Sequence, residues 1–154
     1  MGIFDSISGK PKKTFVNNTN LEKELSNITV KDVMSKQLIV AQSSTTVYQI
    51  SKMMEQGIGS VLVKENSNPI GIITDRDFAI KIVANKYQPD TPVGKVASMP
   101  LQTIGPNESI LNAAKQMSSK KIRKLVVVEN DKVIGIITTT DLTNQLSRIQ
   151  NKIP

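Results

Sequence analysis

Two seven-residue stretches, GIITDRD at 71–77 and GIITTTD at 135–141, carry the residues best suited to chemistry in this chain. Each ends in Thr-x-x-Asp: Thr74 and Asp77 in the first, Thr138 and Asp141 in the second. An apolar run closing on threonine, with aspartate three residues later, marks a strand-to-helix corner. There the hydroxyl and the first free helix amides can donate to phosphate oxygens. The carboxylate can accept both hydroxyls of a ribose, and the glycine permits close backbone approach. The same spacing is also a capping box, with threonine as N-cap and aspartate reaching back. Recurrence of the pair inside a larger repeat favours ribose recognition at one corner at least, and a cap can also bind ligand.

Other chemistry is excluded by composition. The 154 residues contain no cysteine and no histidine. Disulfides, thiolate nucleophiles, Cys/His zinc sites, Ser-His-Asp triads and imidazole proton shuttles are therefore ruled out. The chain is expected not to be an enzyme, to need no cofactor and to hold no metal. Twenty Lys plus Arg against thirteen Asp plus Glu give a net charge of +7, which suits anionic partners. With five aromatics in all, the chain is poor in the stacking platforms that single-stranded nucleic acid wants. No apolar run approaches the roughly 20 residues of a membrane span, and MGIFDSISGKPKK lacks a secretory h-region. A cytoplasmic protein with no membrane partner is expected.

The elements that must position the two corners repeat as well. TVKDVMSKQLIVAQSSTTV (29–47) aligns with PVGKVASMPLQTIGPNESI (92–110), placing Val33 opposite Val96, Ser35 opposite Ser98 and Leu38 opposite Leu101. Helical spacing follows at 47–56 and 110–120, with Val47, Ile50, Met53 and Met54 on one face and Ile110, Ala113, Ala114 and Met117 on the other copy's. These methionines are read as core filler. Two hairpins come next, SVLVKE with PIGIIT and LVVVEN with VIGIITT, turning at Asn66-Ser67-Asn68 and Asn130-Asp131-Lys132. Their nearly continuous apolar runs predict strands buried on both faces. A second helix closes each copy, FAIKIVANK in one and LTNQLSRIQNK in the other. The division expected is a flexible tail over 1–20, a short lead-in helix over 21–28, a first motif over 29–88 and a second over 89–154. The tail opens Met-Gly-x-x-x-Ser, a loose formal match through Gly2 and Ser6 to a myristoylation pattern, read as an ordinary flexible start.

Tandem strand-helix-strand-strand-helix units opened by VKDVMSK and closed by GIITDRD and GIITTTD resemble paired CBS domains, a Bateman module, over about residues 28–150. The resemblance implies an α/β (α+β) fold of two β-α-β-β-α repeats packed sheet to sheet with pseudo-twofold symmetry. It implies a regulatory role, with adenosine-containing ligands such as AMP, ADP, ATP or S-adenosylmethionine in clefts between the units, and homodimers built through helical faces. With no enzyme or channel segment beside the repeats, a stand-alone module with an unidentified protein target is expected.

The resemblance also assigns residues. A basic residue at the entrance to the hairpin meets ligand phosphates in the family; Arg123 and Lys124 fit, whereas the matching Gly59 and Ser60 do not. The place just before the ribose aspartate is borrowed by the opposite cleft, and holds Arg76 in one copy and Thr140 in the other. The Asp141 cleft is thus expected to gather Arg123, Lys124 and Arg76, and to be the better phosphate site. The expected ligand-binding set is Thr138, Asp141, Arg123, Lys124, Arg76, Thr74, Asp77 and Ser43. A nucleic-acid-binding protein is the alternative, resting on Lys115, Lys120, Lys121, Arg123 and Lys124, a stretch with no acidic residue among them.

Overall fold

A computed structural model describes residues 18–150. Of the tail expected over 1–20, residues 1–17, with Gly2 and Ser6, fall outside them, and Asn18–Asn20 belong instead to the lead-in helix, which starts earlier than the expected 21–28. Helix α1 (Asn18–Asn27) is followed by the single turn α2 (Val30–Val33). The first half then runs β1 (Val40–Gln42), α3 (Val47–Glu55), β2 (Ser60–Glu65), β3 (Asn68–Thr74) and α4 (Asp75–Asp77), which continues as a π-helical turn over Phe78–Val83. A 3-10 turn at Val93–Lys95 leads into the second half: β4 (Thr103–Ile104), α5 (Ile110–Lys120), β5 (Lys124–Glu129), β6 (Lys132–Thr138) and α6 (Thr139–Gln150).

Each half holds a three-stranded sheet, β1-β2-β3 or β4-β5-β6, with the outer strand parallel to the centre and the hairpin antiparallel. The fold is the α+β pair of repeats that the sequence predicts. Side chains of the central strands alternate between two environments. Val61 and Val63 pack under α3 with Val47 and Ile50; Leu125 and Val127 pack under α5 with Ile110, Ala113 and Met117. Leu62 and Val126, on the opposite faces, meet around a small cavity of about 40 Å³ shared with Ile72 and Ile136. That is the sheet-to-sheet seam, and it is why both central strands are apolar at every position across their middles.

The helices start where the sequence provides caps. Thr46 Oγ1 accepts from Gln49 N at 3.2 Å while Gln49 Oε1 accepts from Thr46 N at 3.0 Å, and Ser109 Oγ accepts from Asn112 N at 3.1 Å. Helix α5 stops at Lys121, whose φ of 54° is left-handed. Asn130 and Asp131 at the second hairpin have φ of 49° and 60°, the pattern of a two-residue turn that matches strand twist.

The two opening segments are exchanged between the halves. Residues 29–35 belong by sequence to the first repeat, yet Val30, Val33 and Met34, with Ile28 just ahead of them, pack in the core of the second. Ser35 bridges Ile136 in both directions at 2.9 Å. Reciprocally, Val93, Val96 and Ala97 complete the first core, and Ser98 bridges Ile72. The exchange explains the repeated glycine. A Cβ on Gly71 would lie 2.8 Å from Ser98 O, and one on Gly135 would lie 2.8 Å from Ser35 O and 2.6 Å from Met34 Sδ. The close backbone approach expected at these glycines is that of the chain's own opening segments.

Candidate ligand-binding site

Both Thr-x-x-Asp corners form at the end of a hairpin strand, and both are capping boxes. Thr138 N and Oγ1 donate to Asp141 Oδ2 at 2.8 and 2.9 Å, and Asp141 N donates to Thr138 Oγ1 at 3.3 Å. The first corner repeats this: Thr74 N and Oγ1 donate to Asp77 Oδ2 at 2.8 and 3.0 Å, and Asp77 N donates to Thr74 Oγ1 at 3.4 Å. The structure therefore alters one expectation. A threonine hydroxyl has one proton, and here it goes to the aspartate, so neither threonine donates to phosphate while its cap is closed. The Thr139 amide is also engaged, donating to Arg123 O at 2.9 Å.

Each cap uses Oδ2, and the corners differ at Oδ1. Asp77 Oδ1 accepts from Ser98 Oγ at 3.1 Å and faces Lys81 Nζ at 3.3 Å. Lys81 also donates to Ser98 Oγ at 2.8 Å and to Val96 O at 3.2 Å. Asp77 is buried, and both its oxygens are occupied. Asp141 is half-buried, and its Oδ1 has no hydrogen-bond or ion-pair partner among the described residues. One helical turn on from it stands Gln145 in place of a lysine. Ser35, which matches Ser98, turns its hydroxyl to Gln37 N at 3.3 Å instead.

The cations are distributed differently from the expected count. Arg123 is exposed, and its carbonyl bond to Thr139 N sets its backbone beside the first turn of α6, the turn that carries Asp141. Lys124 is half-buried and reaches across to the first half, with Nζ 3.5 Å from Gly59 O. The hairpin entrances 58–60 and 122–124 thus meet between the halves. Arg76 is exposed, and its guanidinium has no partner among the described residues. Ser43 is not brought to either corner. It follows Gln42, which pairs with Lys64 at one end of β2, while Thr74 pairs with Ser60 at the other. Its own contacts are Lys64 O at 2.7 Å from its amide, and Gly94 N at 2.9 Å from its carbonyl.

Cations stand on the Asp77 side as well: Lys81, the partner of Asp77, lines an open groove of about 670 Å³ with Ser98, Met99, Gln102, Lys120 and Ile122. Motif matching missed Lys81 because it lies inside the closing helix, past the last repeated residue. An acidic residue followed at i+4 by lysine on a helix is a usable signal for it. The basic stretch 115–124 does not present one face: Lys115 lines a groove beside β4, Lys120 points to Gln102, and Lys124 points to Gly59. Among the described residues there is no cluster of acidic side chains fit to hold a metal ion and no helix long and apolar enough to cross a membrane.

A family model described as CBS domain matches the chain twice, over residues 30–84 and 89–148. The chain is similar to the CBS domain-containing protein YhcV of Bacillus subtilis, 33% identical over 120 residues that make up 77% of this chain and 86% of that one. Other curated relatives are longer, and the chain spans only 61–62% of the length of three of them, from Methanopyrus kandleri and Methanocaldococcus jannaschii. Among solved structures it is similar to a protein with CBS domains from Burkholderia ambifaria, with a TM-score of 0.75, 26% identity, and coverage of 79% of this chain and 96% of that one. It is also similar to the CBS domain pair of protein MJ0100, solved with 5′-methylthioadenosine and S-adenosyl-L-methionine, with a TM-score of 0.68, 25% identity, and coverage of 79% and 97%.

Proposed function

The chain belongs to the CBS-domain family, and on that premise we propose that it is a regulatory module that binds an adenosine-containing ligand between its two repeats and signals occupancy to a partner or to its own oligomer. The observation that carries this reading is the Asp141 corner: a carboxylate fixed through Oδ2 by its cap, with Oδ1 unpartnered among the described residues, on a helix whose first amide donates to the carbonyl of the exposed Arg123. A preorganised acceptor with one free oxygen suits a ribose hydroxyl, because its orientation is already set before ligand arrives. Binding of 5′-methylthioadenosine and S-adenosyl-L-methionine by the similar MJ0100 pair supports the adenosine class.

Phosphate contact in this reading falls to Arg123 and Arg76 rather than to the cap. Arginine's fork matches phosphate oxygens, and its bonds are charge-assisted. Transmission follows from the exchanged segments. A ligand at the Asp141 corner touches a repeat whose core is completed by the other's opening segment, so occupancy biases how the two halves sit, to the extent of its differential affinity.

Self-association is the second half of the proposal. Ile80, Val83 and Leu146 on the two closing helices are 54, 72 and 43% exposed, large apolar side chains that a like surface would cover. The scattered directions of Lys115, Lys120 and Lys124 give nucleic acid no common face. A thermal-shift panel of AMP, ADP, ATP, S-adenosylmethionine and a polynucleotide tests the proposal. A rise in melting temperature with an adenosine compound supports it, and no rise with any at millimolar concentration removes it.

A further inference from the structure

We infer that Lys81 locks the Asp77 corner shut, so that the chain presents one open ribose acceptor, Asp141, and takes one ligand rather than two; this rests on the adenosine-binding reading for its consequence but not for the lock itself. The repeat gives both corners the same Thr-x-x-Asp frame, and both frames close as capping boxes. The difference that bears on the second carboxylate oxygen lies four residues after the aspartate, at Lys81 in the first half and Gln145 in the second.

Lys81 does three things at once. It neutralises Asp77 at 3.3 Å, fixes the Ser98 hydroxyl at 2.8 Å, and bonds Val96 O at 3.2 Å. Ser98 in turn donates to Asp77 Oδ1 at 3.1 Å. The second oxygen of Asp77 is therefore satisfied by an internal hydroxyl and an internal ammonium, the same two kinds of donor that a ribose and a nearby cation would offer. Ser98 and Val96 belong to the exchanged opening segment, so the ammonium also ties that segment to the first half's closing helix. A ribose entering this corner would have to displace the serine hydroxyl from a buried carboxylate, and the partly exposed ammonium holds that hydroxyl in place. In the second half the neutral Gln145 makes no bond to Asp141, and Ser35 is turned away.

Two measurements on the whole chain decide this. Carbodiimide coupling of glycine methyl ester, mapped by mass spectrometry without ligand, reads the lock alone. Asp141 is expected to be modified and Asp77 spared; Lys81→Gln is expected to bring Asp77 up to the level of Asp141. Gln145→Lys, at a half-buried position between the exposed Asn144 and Leu146, keeps the test alive should Lys81→Gln not fold, and is expected to protect Asp141. Equal modification of both aspartates in the unaltered chain overturns the lock. Calorimetry with AMP reads the consequence: one ligand per chain, two for Lys81→Gln and none for Gln145→Lys. Two per unaltered chain overturns the inference. No heat with AMP in any variant, alongside the expected labelling, counts against AMP binding and leaves the lock standing.

Discussion

Asp77 Oδ1 lies 3.3 Å from Lys81 Nζ, one helical turn away, and no cation stands in that relation to Asp141. Two aspartates in the same Thr-x-x-Asp spacing thereby differ, one with both oxygens engaged and the other with one oxygen open among the described residues. The difference is measurable in stability. Asp77→Ala removes a cap and an ion pair whose lysine is about a third exposed, so a loss of about 1.5–3 kcal/mol is expected, the cap together with a partly solvated pair. Asp141→Ala removes the cap alone, and about 1 kcal/mol is expected. Urea denaturation of both variants compares them. Equal losses would mean that Lys81 contributes nothing.

Gly135→Ala is expected to destabilise the chain by about 1–3 kcal/mol, as overpacking does. Its Cβ would meet Ser35 O at 2.8 Å, a backbone atom that cannot swing aside, and the exchanged segment must shift. Gly59→Ala should cost less, since the nearest atom to its Cβ is Lys124 Nζ at 3.3 Å, the end of a flexible side chain. Thermal melts of the two variants give the order.

The repeat, its two hairpins, its helices and the capping spacing were all legible in the sequence, because apolar periodicity and turn residues encode them locally. The exchange was not. Val33 and Val96, or Ser35 and Ser98, satisfy the same pattern whichever half they pack against, so periodicity reports their burial and not their partner. The inequality of the corners was read from Arg123, Lys124 and Arg76, yet the clearest geometric difference is made by Lys81 and Gln145. Those two sit where the repeat has already lost identity. Ser43 was grouped with the corners although β2 separates it from Thr74, a distance that only strand register reveals.

The exchanged segment carries its own acid-sensitive element. Asp32 Oδ2 accepts from Thr29 Oγ1 at 2.5 Å and from Thr29 N at 3.1 Å, and these bonds hold its carboxyl below the ordinary value of 3.8. A carboxyl whose folded pKa is depressed adds stability above its unfolded pKa, and the contribution is lost as pH falls through the folded value. Asp32→Asn should therefore be less stable than the unaltered chain at neutral pH. The gap should close as pH drops below the ordinary carboxylate range. Denaturation midpoints of both proteins across that range show it; a gap that persists at low pH would place the effect elsewhere.

Val83→Asp puts a charge on the most exposed large apolar side chain of the first closing helix. If that helix meets a second copy, the variant should be monomeric by light scattering at a concentration where the unaltered chain is not. An unaltered chain that is itself a strict monomer at high micromolar concentration contradicts the self-association proposed.

If Asp141 receives the ribose of an adenosine-containing ligand, calorimetry of Asp141→Ala beside the unaltered chain will show it. Loss of a charge-assisted acceptor is worth roughly 1.5–3 kcal/mol, or about ten- to a hundredfold in affinity. Adenosine and AMP should lose affinity alike, because they share the ribose, whereas Arg123→Ala should weaken AMP and spare adenosine. Full-strength binding of both by a folded Asp141→Ala chain would contradict the account.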